Sequence, residues 1–261
     1  MKALQIAATG MAAQQMRVDV VANNLSNMST TGYNARRADF ADLQYEQVVK
    51  PGSITSNEGT ILPTGVQLGL GVRPSAVSLV IAQGSLSQTG NDLDLAIEGR
   101  GYLSVTLPGD RIGYTRDGAL RRTGEGLIVT SDGHEVSPGI TIPTDANSIS
   151  INASGEVYAN FSNRTDPELI GQIDLVSFTN EKGLEAIGSN LLLETNASGP
   201  PIQGIPGEDG LGTLKQSYLE NSSVDAIREV TELIKAQRGY ELNAKVITAA
   251  DQMLAATTQI K

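Results

Sequence analysis

The first 33 residues, MKALQIAATGMAAQQMRVDVVANNLSNMSTTGY (Met1–Tyr33), decide how the rest of the chain is read. Leu4, Met11, Val18 and Leu25 recur at a spacing of seven, and Ala7, Ala8, Val21, Ala22 and Met28 fill the alternate positions. A heptad of this kind predicts a helix with one apolar seam, interrupted at Gln14 and Gln15. An amphipathic helix packed on its own domain carries the same pattern. The helix then meets three asparagines and Thr30-Thr31-Gly32. Asn23, Asn24 and Asn27 can hydrogen-bond backbone or neighbouring helices and fix register. Gly32 supplies the backbone freedom for the chain to turn away. The stretch Ala22–Tyr33 therefore reads as a helix exit, with a left-handed cap at Asn27 as the alternative.

The other end repeats the theme. Asn221-Ser222-Ser223-Val224-Asp225 predicts a helix start, with Ser222 as cap and Asp225 three residues on. Ile227, Val230 and Ile234 then share a face, and Leu242, Val246, Ala249, Met253, Ala256 and Ile260 continue at 4-3-4-3-4 spacing. Gly239 sits inside this run, at a cost of about 1 kcal/mol relative to Ala, so it needs a packing reason or marks a bend.

Everything between reads as β. Leu93/Leu95/Ile97, Leu103/Val105/Leu107, Ile140/Ile142, Ile149/Ile151 and Ile173/Leu175 alternate. Turn signals at Pro108-Gly109-Asp110, Asp117-Gly118, Gly124-Glu125-Gly126, Asp132-Gly133 and Ser154-Gly155 punctuate them, as in a sandwich or barrel of short strands. Residues 196–213 (NASGPPIQGIPGEDGLGT) have neither period and predict an exposed loop. The predicted fold class is thus α+β. Terminal helices pair antiparallel in coiled-coil-like fashion, and an all-β body of short strands is inserted between them. Two helices alone bury too little to offset their ordering entropy, so neighbouring subunits would have to cover the remaining faces.

Composition narrows the function. The 261 residues contain no Trp and no Cys, so thiolate and disulfide chemistry are excluded. Net charge is −10, against the basic stripe of a nucleic-acid binder. Of the 29 acidic residues 22 lie in 28–213, with 11 of the 19 basic ones, so the middle carries the whole excess. The near-neutral ends look like packing surfaces and the middle like a solvated body. No apolar run is long enough for a signal-peptide core or a membrane span, so an ordinary cleaved leader would not export this chain.

Candidate chemistry is thin. His134 is the single histidine and stands in a turn, which excludes a Ser-His-Asp triad elsewhere and a multi-histidine metal site. Gly69-Leu70-Gly71 and Gly99-Arg100-Gly101 lack the third glycine and following helix of a dinucleotide loop. Asp92, Asp94 and Glu98 could form a glycosidase-like carboxylate pair, but a solvated strand face explains them more simply. Arg36-Arg37 and Arg121-Arg122 are too short and too surrounded by acids to bind a polyanion. No catalytic, cofactor-binding or metal-binding residue is expected, and no cofactor.

Taken together, ANNLSNMSTTGY (Ala22–Tyr33), QRGYELNAK (Gln237–Lys245), ADQML (Ala250–Leu254), GNDLDLAIEGRGYLSV (Gly90–Val105) and YTRDG (Tyr114–Gly118) closely resemble the bacterial flagellar axial family of rod and hook subunits. The motifs occur in order over essentially the whole chain. Members of that family usually have Ala where this chain has Gly239, which puts local helix straightness in question. Within the family, YEQVVKPGSITSNEGTILPTGVQLGLGVRP (Tyr45–Pro74) resembles the distal rod branch. Its Pro51-Gly52 and Pro63 flank a polar tip, as in an exposed hairpin or Ω-loop.

What the resemblance implies is structural. The inner tube domain would be 1–27 with 222–261, a connecting domain 28–71 with 214–221, and the outer β domain 72–213. The hairpin, at about 46–65, would stiffen the rod through Val48, Pro51, Gly52, Ile54, Ile61, Leu62 and Pro63. Inner-helix assembly would use Leu4, Met11, Val18, Val21, Leu25, Ile227, Val230, Ile234, Leu242, Val246, Met253 and Ile260. The implied partners are further copies of the chain in a helical homopolymer, proximal rod proteins, the hook protein, the L-ring and P-ring proteins, and the flagellar type III export apparatus. Nucleic acid is not implied, nor a membrane-spanning role. The implied location is the rod in the periplasm, reaching the outer membrane. A proximal rod or hook subunit is the alternative within the family, and a cell-wall glycan hydrolase the alternative outside it.

Overall fold

The computed structural model describes residues 2–51, 64–162, 164 and 166–259. Of the hairpin residues, Gly52, Ile54, Ile61, Leu62 and Pro63 lie outside these, as does Ile260. Two helices bracket the chain, α1 (Lys2–Ser26) and α2 (Ala226–Gln259). The chain forms two compact units. One comprises Met1–Leu25, Arg36–Ser78 and Ala226–Lys261, and the other Ser26–Ala35 and Leu79–Asp225.

The helical unit holds α2, strands β1 (Arg36–Asp42), β2 (Tyr45–Val49) and β3 (Val66–Gly69) and, but for the last residue of each, α1 and β4 (Val72–Leu79). β1 pairs with β4, and β2 with β3. The β2–β3 pairing is antiparallel, Tyr45 opposite Gly69 and Val49 opposite Val66, so the arms of the expected hairpin are formed.

In the β unit the chain runs through β5 (Leu86–Gln88), β6 (Leu95–Glu98), β7 (Tyr102–Leu107), β8 (Arg111–Thr115), β9 (Arg121–Arg122) and β10 (Ile128–Val129). It continues with β11 (Glu135–Val136), β12 (Ala146–Ile151), β13 (Glu156–Phe161), β14 (Glu168–Gln172) and β15 (Leu175–Ser177). The last are β16 (Glu185–Gly188), β17 (Leu191–Leu193), β18 (Ile202–Gly204), β19 (Thr213–Gln216) and β20 (Tyr218–Glu220). The main sheet has order β16-β17-β8-β7-β11-β10-β9, with β15 also on β7 and β18 on β15. Beside it lie β12-β13-β14 and the pairs β19-β6 and β20-β5.

Alternation on β7 explains its central place. Leu103, Val105 and Leu107 enter one core with Leu95, Ile97, Ile142, Ile173 and Leu175. Tyr102, on the opposite face, joins Tyr114, Val176 and Phe178 in a second. Tyr114 meets Phe178 edge-on at 4.8 Å between ring centroids, a favoured aromatic geometry.

Three expectations need correction. Residues 196–213 are not simply an exposed loop: β18 pairs with β15, and Ser198 and Leu211 are buried. Ile140 and Ile142 are buried but flank an isolated bridge, Leu127 to Thr141, and form no strand. The second helix begins at Ala226, because the Ser222 hydroxyl accepts from the Val224 N–H and the Ser223 hydroxyl from the Ala35 N–H. Asp225, a favoured N-cap residue, directly precedes the first helical position.

Candidate assembly surface and helix exit

In the helical unit α1 and α2 meet through small and polar residues. The position of a Cβ at Gly10 is 2.8 Å from Asn243 Nδ2, and one at Gly239 would lie 3.1 Å from Gln14 Cδ. Asn24 Nδ2 donates to Glu229 at 3.2 Å. These contacts climb α1 as they descend α2, so the helices run antiparallel. Gly239 therefore has a packing reason, and α2 passes through it unbroken.

The apolar row of α2 is on another face. Ile227 is 82% exposed, Met253 65% and Leu242 62%, and Val230, Ile234 and Val246 are exposed too. Buried on α2 are Ala236 and Ala250. On α1 Val21 is buried, and Leu4, Met11, Val18 and Leu25 are half-buried. The hairpin arms likewise expose Tyr45, Val48, Val66 and Leu68, and Pro51 is exposed at the end of β2.

At the exit, the three asparagines differ. Asn24 is 1% exposed and holds the backbone of Arg36 from both sides, accepting from its N–H at 2.9 Å and donating to its carbonyl at 2.8 Å. It thus copies a strand pairing at the start of β1. Asn27 accepts from the Thr30 hydroxyl at 3.1 Å, and its φ is not positive, so the left-handed cap is excluded. Asn23 is exposed.

The β unit holds the exit turn and the approach to α2 together. Gly32, at φ +65°, donates its N–H to the Glu220 carbonyl at 2.8 Å. A Cβ there would lie 2.7 Å from the Arg116 backbone carbon, so both space and conformation demand glycine. The side chains of Arg116 and Glu220 pair beneath it at 2.9 Å, both buried. Arg116 also donates to the carbonyls of Gly99 and Gly101, and Glu220 accepts from the Gly84 N–H. Asn190 donates to the Thr31 carbonyl. Nearby, Arg100 and the Tyr102 hydroxyl both donate to the buried Glu181 carboxylate, and burial pushes the Tyr102 phenol well above its ordinary range.

Sequence reading missed this hub. Arg116 lies inside the YTRDG motif, but nothing in the periodicity links it to Glu220, 104 residues on. Asp94 also departs from expectation. It is buried in an isolated bridge to Ala119 and accepts from Asn91 Nδ2 at 2.8 Å, whereas Asp92 is exposed in the turn before it, so the two do not share a solvated strand face. His134 is half-buried beside its turn, exchanging hydrogen bonds with Thr130. Among the described residues no His/Cys/Asp/Glu group has metal-holding geometry, and no helix is long and apolar enough to cross a membrane.

Two terminal helices, the second with an exposed apolar row, a β unit inserted between them in the sequence and a pinned exit turn define a subunit made of a helical and a β unit. Family models agree along the chain: a flagella basal body rod protein segment matches residues 4–34, the D1 domain of flagellar hook proteins FlgE/F/G matches 96–159, and the FlgEFG rod C-terminal segment matches 215–260. The chain is 50% identical to the flagellar basal-body rod protein FlgG of Caulobacter vibrioides, over the full length of both, and 47% identical to that of Agrobacterium fabrum over 97% of each. A Helicobacter pylori hook protein, FlgE2, is similar at 16% identity over 72% of this chain and 43% of its own, with a TM-score of 0.26. The chain belongs to the flagellar rod and hook family and, within it, to the flagellar basal-body rod proteins FlgG. It is a structural subunit of the rod in the bacterial flagellar basal body.

Proposed function

We propose that this chain builds the distal rod, polymerising into a rigid hollow tube that carries motor torque to the hook and passes export substrates. The observation that carries this reading is the exposed apolar row of α2, from Ile227 to Met253. Six large side chains left in water on one helix call for partners, and a homopolymer supplies them at every subunit. The α1 row of Leu4, Met11, Val18, Val21 and Leu25 belongs to the same inner tube, in which the N- and C-terminal helices pair in coiled-coil-like fashion, with Val21 buried and the half-buried others open to further cover. Functionally, 1–27 with 222–261 form the inner tube, 28–71 with 214–221 connect, and 72–213 face outward. Asn23, Asn24, Asn27 and Gly32 set where the chain leaves the tube. The hairpin at about 46–65 reaches a neighbour through its exposed apolar arms and stiffens the rod.

The partners that fit are further copies, proximal rod proteins below, the hook protein above, the L-ring and P-ring proteins around, and the type III export apparatus that delivers the chain. The acidic exterior of the β unit, with 13 exposed acids beside exposed Ile112, Leu169, Ile187 and Ile202, keeps much of the surface charged and solvated, which limits adhesion to surrounding rings. Replacing Leu242 and Val246 together by Asp tests the assembly reading. The variant should remain folded by circular dichroism yet form no filaments in electron micrographs. Filaments as abundant as those of the parent chain would overturn it. Deleting residues 48–63 tests the distal role: filaments should become bent, and unaltered straight ones would contradict it.

A further inference from the structure

The net charge of the chain is divided unequally between its compact units. The helical unit contains 11 basic and 9 acidic residues and the β unit 8 basic and 20 acidic, so +2 stands against −12. In the β unit 13 of those acids are exposed, against 6 basic residues. The few buried acids have partners of their own: Asp94 with Asn91, Glu181 with Arg100, Glu220 with Arg116. Seven of the twelve excess negative charges are therefore on exposed side chains. The apolar row that drives association lies on the unit that is nearly neutral.

We propose that the acidic β unit is an electrostatic brake on self-assembly, its partner being a second copy of the same chain. The proposal rests on the reading that the chain forms a homopolymer through α2. Every copy added to such a polymer brings the same −12 beside its neighbours, and like charges within a Debye length repel. The attraction from apolar burial does not weaken with salt, whereas the repulsion is screened, so mobile ions set the balance. At low ionic strength the free subunit stays dispersed although its apolar row is exposed. Added salt, or removal of the exposed carboxylates, releases the brake.

The test uses the full chain and a variant with six exposed acids replaced by near-isosteres: Asp110→Asn, Glu125→Gln, Asp132→Asn, Asp145→Asn, Glu185→Gln and Glu208→Gln. Sedimentation gives the critical concentration for polymerisation, and static light scattering gives the second virial coefficient of the monomer. Both are followed from about 20 to about 300 mM NaCl, which shortens the Debye length from about 20 Å to about 6 Å. The parent critical concentration should fall about tenfold over that range. The variant should polymerise at lower concentration in low salt and respond to salt less than half as strongly on a logarithmic scale. Its monomer should also repel less. Equal salt responses in parent and variant, or a parent chain that polymerises best in low salt, would overturn the brake. Absence of polymer from both chains at every salt concentration would instead overturn the homopolymer reading, and the brake with it.

Discussion

The guanidinium of Arg116 and the carboxylate of Glu220 lie 2.9 Å apart inside the β unit, with the Gly32 N–H bonded to the Glu220 carbonyl and the position of a Gly32 Cβ only 2.7 Å from the Arg116 backbone carbon. Three distant parts of the sequence, the exit from α1, the YTRDG segment and the approach to α2, thus share one buried point. Removing one partner strands the other charge in the interior. Arg116→Met should cost about 3–5 kcal/mol, read by urea unfolding of the full chain. The double variant Arg116→Met/Glu220→Leu should recover part of that loss, because no lone charge remains.

Gly32→Ala combines a positive φ with a contact 2.7 Å from the Arg116 backbone carbon. The conformational penalty alone is about 1–2 kcal/mol, and the clash adds to it. Thermal unfolding should drop clearly, whereas Gly124→Ala, in a turn with nothing within 4 Å, should change little.

Asn24→Leu removes both hydrogen bonds to the Arg36 backbone as well as the contact with Glu229. Burying those groups unpaired should cost about 1–3 kcal/mol. Hydrogen exchange at the Arg36 amide should rise, since its N–H loses its acceptor.

Gly239→Ala should stabilise α2. The added methyl meets the flexible end of Gln14 at 3.1 Å, which can shift by a few tenths of an ångström, while helix propensity improves by about 1 kcal/mol. A higher urea midpoint is expected, and a lower one would mean that Gln14 cannot yield.

The Asp117 carboxyl is raised above its ordinary value chiefly by burial, with Asp132 and Asp94 adding to the effect against the Ala119 N–H, which lowers it. A carboxyl with a raised folded-state pKa favours the folded state when protonated and disfavours it when ionised. The parent chain should therefore lose stability relative to Asp117→Asn as pH rises from the ordinary carboxylate range towards neutrality. A stability difference that does not change with pH would contradict this.

What could be read from the residues followed the strength of each local signal. The seven-residue repeat of Leu4, Met11, Val18 and Leu25 marks α1, which ends at Ser26, just past Asn23 and Asn24 and before Asn27. Leu103, Val105 and Leu107 mark β7 because alternation is a two-residue property. The start of α2 was legible only to within a few residues, since Ser222 and Ser223 use their hydroxyls on Val224 and Ala35. β18 is three residues long among prolines and glycines, too short to show a period. The pairing of Arg116 with Glu220 and of Asn24 with Arg36 depends on the closed fold, and no spacing announces it. The face of α2 that meets α1 was also hidden, because glycine and asparagine form it while the more visible apolar row stays outside.

A helical reconstruction of filaments grown from the full chain, at a resolution that shows side chains, tests the central proposal most directly. Ile227, Val230, Ile234, Leu242, Val246 and Met253 should be buried between neighbouring copies around a central channel. A filament in which this row faces water, its copies joined through their β units instead, would contradict it.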